Sequence, residues 1–146
     1  MTDDDEICKR MRGIYATGNM VSRKFSKCEI SCKIMMFKTY FSSIYGCGLW
    51  CSYRVASYCK IKVSHNDIFR ALLNVQRGES VSALFVQHQV NNLDSVLRTC
   101  YYSLMTRVKS SENLIVSSLV NSGVRTHSRL WHRWGVALGR DMVEHW

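Results

Sequence analysis

The stretch 9-KRMRGIYATGNMVSRKFSK-27 decides the fold class, because its apolar residues recur about once per helical turn. At about 100° per residue, one narrow stripe of the wheel contains Ile7, Met11, Ile14, Gly18, Val21 and Phe25. The opposite side, within about 60°, contains Lys9, Arg12, Arg23 and Lys27. This pattern predicts an amphipathic helix with its apolar side in the core and its basic side turned outward.

The rest of the chain continues the helical period. We expect a helix from about Ser31 to Tyr45, and residues 49–58 could form a further short helix. Apolar residues at helical spacing over 61–75 predict the next helix, followed by a short helix at 81–88. A helix with a core face is expected over 93–108, capped by Asn91 or Asn92, and a last helix at 111–122. No stretch alternates with period two for long enough to indicate a sheet. The sequence predicts an all-α fold: a single bundle of about six helices over residues 1–122, then a loose basic tail over 123–146 with Trp131, Trp134 and Trp146.

Composition favours a polyanionic partner. The formal charge is +9 with a pI near 9.4, and the apolar fraction of 47% is ordinary for a folded protein. The chain opens MTDDDEICKR, acidic where a signal peptide would be basic, and has no apolar run near the ~20 residues that span a bilayer. We therefore expect a soluble protein of the cytoplasm or nucleus, with its seven cysteines reduced and no membrane contact.

Catalytic and metal-binding patterns are weak. Cys28-x3-Cys32 and Cys47-x3-Cys51 could supply four thiolates to zinc, but both pairs lie within helical patterns, and we expect free cysteines, no structural metal and no cofactor. His65 lies on an apolar stripe and is expected to be a hydrogen-bonded core residue. The acidic run 3–6 is interpreted as a helix start, because no strand or further carboxylate accompanies it until Glu29. No activity is expected from this chain alone.

An ordered set of short motifs runs through the chain. It comprises Asp4-Asp5-Glu6-Ile7, Tyr15/Gly18/Asn19, Arg23-Lys24-Phe25, Cys28, Lys33/Phe37/Tyr40, Tyr45-Gly46-Cys47 with Leu49-Trp50, HNDIFRALLNV (65–75) and YYSLMTRVKSSENLIVSSLVNS (101–122). In this order the set resembles the segment that follows the polymerase palm in reverse transcriptases of non-LTR (LINE-type) retrotransposons. The resemblance covers roughly residues 3–122. Ser43 and Gln76 stand where relatives often have proline, and Asn74 where they often have glycine.

The resemblance implies a thumb-like helical region that grips a primer–template duplex, without the fingers and palm of an RNA-directed DNA polymerase. A thumb helix needs an apolar face toward its bundle and cations toward phosphates, so we expect Lys9, Arg12, Arg23 and Lys27 to contact the RNA or DNA backbone without sequence preference. Three alternatives stay open. They are a helical protein–protein interaction module with an exposed apolar patch, a helix-turn-helix DNA reader, and an inert product of a decayed element whose basic face is merely solvated.

Overall fold

The computed structural model describes residues 2–122 and 128–137, and these ranges contain seven α-helices and no strand. The helices are α1 (Asp4–Lys24), α2 (Ile30–Phe41), α3 (Val55–Leu73), α4 (Val81–Gln87), α5 (Leu93–Lys109), α6 (Leu114–Asn121) and α7 (Arg129–Ala137), with a short 3₁₀ helix at Cys47–Leu49. The prediction of an all-α fold is confirmed, and the expected number of about six helices is close to that found.

Contacts divide the chain into two compact units. The first contains Met1–Ile44 and Tyr53–Val96, and the second contains Tyr45–Ser52 and Leu97–Trp146. Helix α5 therefore begins in the first unit and continues in the second. No described helix is long and apolar enough to cross a membrane.

In the first unit, α1 packs mainly against α3. The stripe predicted for α1 is the side that packs, because its buried residues are Ile7, Ile14, Gly18 and Val21. A Cβ atom built on Gly18 would lie 2.3 Å from Cδ1 and 2.9 Å from Cγ2 of Ile68 on α3. Gly18 thus lets the backbone of α1 lie close to the buried side chain of Ile68. Any larger residue at position 18 would displace that side chain.

An aromatic cluster joins α2, α3 and α4. The ring centroids of Phe37 and Phe69 are 4.6 Å apart, and Phe69 stacks on Phe85 at 4.6 Å with planes only 3° from parallel. His65 meets Phe37 edge-on at 5.0 Å and is fully buried. Its burial was expected; the hydrogen bond that was also expected is reduced to a weak contact with the backbone of Phe41, which does not satisfy either ring nitrogen. Burial lowers the pKa of His65 to about 4, against a smaller opposing effect of the Phe41 backbone.

Side-chain contacts fasten the helix ends of the first unit. Asp4 Oδ1 accepts the backbone N–H of Arg54 (3.0 Å), which precedes α3. Hydrogen bonds from the Ser57 side chain and the Arg54 backbone hold the pKa of Asp4 below its usual value. At the start of α5, Asp94 accepts hydrogen bonds from Tyr58 and from Lys62 (2.6 Å). The acidic residues at the start of the chain therefore lie in the first turn of α1, as expected, and Asp4 also holds the start of α3.

The second unit is organised around the segment Tyr45–Ser52. Tyr101 on α5 donates its hydroxyl to the carbonyl of Trp50 (3.1 Å), and Trp134 on α7 donates its ring N–H to the carbonyl of Gly48 (3.1 Å). Cys47, Trp50, Tyr101 and Trp134 are all buried. These contacts give the second unit a small core of its own.

Several boundaries differ from expectation. Helix α2 ends at Phe41, four residues earlier than predicted, and residues 50–54 are not helical, so the expected short helix is replaced by the start of α3 at Val55. The prediction of a loose tail was wrong for residues 129–137, which form α7. Trp131, Trp134 and Gly135, spaced at i, i+3 and i+4, are buried on one side of this helix. The rest of the tail, 123–127 and 138–146 with Trp146, lies outside the described residues.

Candidate nucleic-acid interface

Three of the four predicted cations share the outer face of α1. Lys9, Arg12 and Arg23 are exposed, on the side opposite the buried stripe. At about 1.5 Å of rise per residue, Lys9 and Arg12 lie about one turn apart, and Arg23 lies about 16 Å further along the axis. The face therefore has a pair of cations near one end of the helix and a single cation near the other.

Lys27 is placed differently from the prediction. Helix α1 ends at Lys24, and the N–H of Phe25 makes the last bond of the helix to the carbonyl of Val21 (2.9 Å). Lys27 lies in the turn that follows, where the N–H of Cys28 bonds back to Phe25 (3.1 Å). The helical wheel therefore does not apply to Lys27, although its side chain is exposed just beyond the end of the same helix.

The four predicted cations are free to meet a ligand. Within residues 2–122 and 128–137, none of them forms an ion pair or hydrogen bond through its side chain. Arg10, in the same helix, is different, because its Nε lies 2.7 Å from Oε1 of Glu6. A cation already paired with a carboxylate must give up that contact to bind phosphate, so Lys9 and Arg12 are the better candidates on this turn.

Carboxylates limit the interface at the start of α1. Asp5 is exposed one turn before Lys9 and lies on the same side of the wheel. A phosphate placed beside Lys9 would therefore also meet a negative charge. The part of the face from Arg12 to Arg23 carries no carboxylate, and it is the part best suited to a polyanion.

One further residue belongs to this surface and was missed by reasoning from charge periodicity. Asn19 is exposed between Arg12 and Arg23, and an amide is a common donor to phosphate oxygens. Lys24 is exposed at the last position of α1, but it lies about 100° around the helix from Arg23 and so to one side of this face. Counting neutral donors on the helical wheel would have found Asn19.

The described residues do not assemble a metal centre. No group of three or more histidine, cysteine, aspartate or glutamate side chains in the described ranges could hold an ion. None of the seven cysteines is part of a disulfide. The four cysteines considered for zinc divide between the units, with Cys28 and Cys32 in the first and Cys47 and Cys51 in the second.

Comparisons with known proteins return no relative. No protein-family model, no curated protein and no solved structure matches the chain. The geometry of α1 and the ordered sequence motifs therefore stand by themselves as the basis for a function.

Proposed function

We propose that this chain is a thumb-like helical region of a non-LTR retrotransposon reverse transcriptase, which binds the backbone of a primer–template duplex without reading its sequence. The observation that carries the proposal is the exposed, unpaired cationic face of α1, opposite a stripe that is buried against α3. The ordered motifs from Asp4 to Ser122 supply the family. RNA–DNA hybrid or duplex is the partner, and no cofactor takes part.

The physical mechanism is neutralisation of phosphates by fixed cations. Each phosphate neutralised by Lys or Arg releases condensed counterions, so binding weakens as salt rises. A helix buried on one side holds its outer cations on a rigid frame, which limits the backbone ordering that binding requires. The contacts proposed here are to phosphates and not to base edges, so affinity should be nearly independent of sequence.

The test is fluorescence anisotropy on a labelled RNA–DNA hybrid across a salt series. Replacing Lys9, Arg12 and Arg23 by Gln should reduce the log–log slope by about three, at about 0.9 per phosphate. Adding Lys27→Gln should reduce it by up to about one more if this residue joins the surface from its turn.

A matched control variant distinguishes binding through the α1 face from a general effect of net charge. Lys38, Lys60 and Arg98 are exposed on other helices, and replacing all three by Gln removes the same charge. If the α1 face is the interface, this control keeps most of the wild-type slope. Equal slopes for the wild type and the α1 variant would mean that the basic face is only solvated, as in the inert-product alternative.

One observation favours a second candidate, a protein–protein interaction module. Helix α6 has no buried residue, and Leu114, Ile115 and Leu119 are 81%, 73% and 60% exposed. An apolar patch of this kind on a short helix is typical of a partner-binding face. Sedimentation velocity over a concentration series tests the simplest partner, a second copy. Association that is lost in Ile115→Gln/Leu119→Gln would support this candidate, and a monomer at all concentrations would exclude self-association.

A further inference from the structure

Two cysteines of the second unit lie on chain segments that touch. Cys47, in the 3₁₀ helix, is buried, and the side chain of Cys100 on α5 is close enough to help raise the pKa of the Cys47 thiol. Cys100 itself is only half-buried. Of the two residues, Cys100 is therefore the one that is less shielded from a small reagent in the solvent.

Backbone contacts hold the two cysteines in place. A Cβ atom built on Gly48 would lie 3.3 Å from the carbonyl oxygen of Cys100, so the two chain segments touch beside the thiols. The Tyr101–Trp50 and Trp134–Gly48 hydrogen bonds fasten the same segment at Gly48 and at Trp50. A disulfide needs its two residues positioned within narrow limits, and here the fold has already brought them together.

We propose that Cys47 and Cys100 form a reversible disulfide when the protein meets a peroxide, which locks the segment Tyr45–Ser52 onto α5. The sulfur of Cys100 attacks one oxygen of hydrogen peroxide, the O–O bond breaks, and Cys100 becomes a sulfenic acid with release of one water. The sulfur of Cys47 then attacks the sulfur of Cys100. The S–O bond breaks, the Cys47 proton joins the leaving hydroxide as a second water, and the two thiols have supplied the two electrons that reduce the peroxide.

The order of these steps follows from accessibility. Burial raises the pKa of the Cys47 thiol, so this group stays protonated and is a poor first nucleophile. Cys100 therefore meets the peroxide, and Cys47 acts as the resolving thiol. A dithiol reductant reverses the bond by thiol–disulfide exchange at the exposed side of the pair.

A second thiol pair provides an internal comparison. The Cys32 thiol is hydrogen-bonded to that of Cys28 in the first unit, but only three residues separate the two along the chain. A bridge there would constrain a very short loop, whereas Cys47–Cys100 closes a loop of about fifty residues and restricts the unfolded chain much more. The thermal stability of the oxidised protein therefore distinguishes the two bridges.

The experiment treats the full chain with a small excess of hydrogen peroxide, blocks remaining thiols, and maps disulfides by peptide mass spectrometry. We expect a Cys47–Cys100 cross-linked peptide that dithiothreitol removes, and a rise in the unfolding midpoint of about 5 to 10 °C. Cys100→Ser should lose that rise, and Cys32→Ser should keep it. Mapping of the unaltered chain decides the matter even if a variant folds poorly. A bridge only between Cys28 and Cys32, or Cys100 carried on to sulfinic acid with Cys47 still a free thiol, would overturn the proposal.

Discussion

Acidification from pH 7 to pH 5 should destabilise the first unit through His65. The ring is fully buried among Phe37 and Phe85, and a weak contact with the backbone of Phe41 leaves both ring nitrogens unsatisfied. Its pKa falls from 6.5 to about 4 on folding, because burial disfavours the charged imidazolium. The unfolded chain therefore takes up a proton first as the pH drops, and each proton taken up favours unfolding.

The size of the effect follows from this difference in pKa. The contribution of His65 to the free energy of unfolding is present above pH 6.5 and declines as the pH falls. The whole contribution, about 3 kcal/mol, is lost only below about pH 4. Between pH 7 and pH 5 the expected loss is about 2 kcal/mol. Asp4, whose pKa is held below its usual value, contributes its own loss only at lower pH, so this window isolates the histidine.

The assay is urea denaturation at pH 7 and pH 5, followed by circular dichroism. The wild type should lose about 2 kcal/mol over this interval, and His65→Phe should lose almost none of it, since phenylalanine does not titrate. His88→Gln is the control, because His88 lies at the edge of the same cluster and is only half-buried. Comparing each variant with itself at two pH values removes any cost of repacking the site. Equal losses for the wild type and His65→Phe would refute the assignment.

Three further predictions follow from the structure and sequence. Gly18→Ala should lower the free energy of unfolding, measured by urea denaturation, by about 1 to 3 kcal/mol, because its Cβ would overlap Ile68. The Cβ of Gly13→Ala meets nothing within 4 Å, so this variant should stabilise α1 by about 0.5 to 1 kcal/mol. A stabilising Gly18→Ala would contradict the close approach of α1 to Ile68. Purified protein is expected not to extend a primer on a template with Mg²⁺, because phosphoryl transfer needs paired metal-holding carboxylates and Asp4, Asp5 and Glu6 instead form the first turn of α1. Incorporation above a no-protein control would be evidence against this. Native mass spectrometry should give a metal-free mass, with circular dichroism unchanged by chelator; one tightly held zinc per chain would reverse that view.

The helical periodicity of the sequence predicted those features that are determined within a single helix. Ile7, Ile14, Gly18 and Val21 are buried together, and Asn92 caps α5 by accepting the N–H of Ser95 (2.9 Å). These features arise from local geometry, which a wheel captures. The exposed positions of Lys9, Arg12 and Arg23 were predictable for the same reason.

Features that depend on distant residues were not predictable in this way. Lys33 is 7% exposed although its charge indicated an outer position, and Phe69 is central to an aromatic cluster that no single helix defines. The end of α1 before Lys27 reflects the entry into α2, whose N-cap is Glu29 in extended conformation. Helix α7 shows the helical spacing of Trp131, Trp134 and Gly135 in the sequence, but the partner of Trp134, the Gly48 carbonyl 86 residues earlier in the chain, could not be found from that spacing.

The segment Tyr45–Ser52 has a consequence for how the protein is made. It belongs to the second unit although the residues on both sides of it belong to the first, so no single cut in the chain yields two pieces that each contain a whole unit. During synthesis, Cys47 and Trp50 emerge well before Tyr101 and Trp134, the residues that complete their surroundings. The contacts between α1 and α3 span a similar separation, 50 residues for Asp4 and Arg54, but both helices have been made once Leu73 has emerged, whereas the pairing of Trp50 with Tyr101 waits for α5. Until then an apolar segment flanked by folded helices is accessible to chaperones on the ribosome-bound chain.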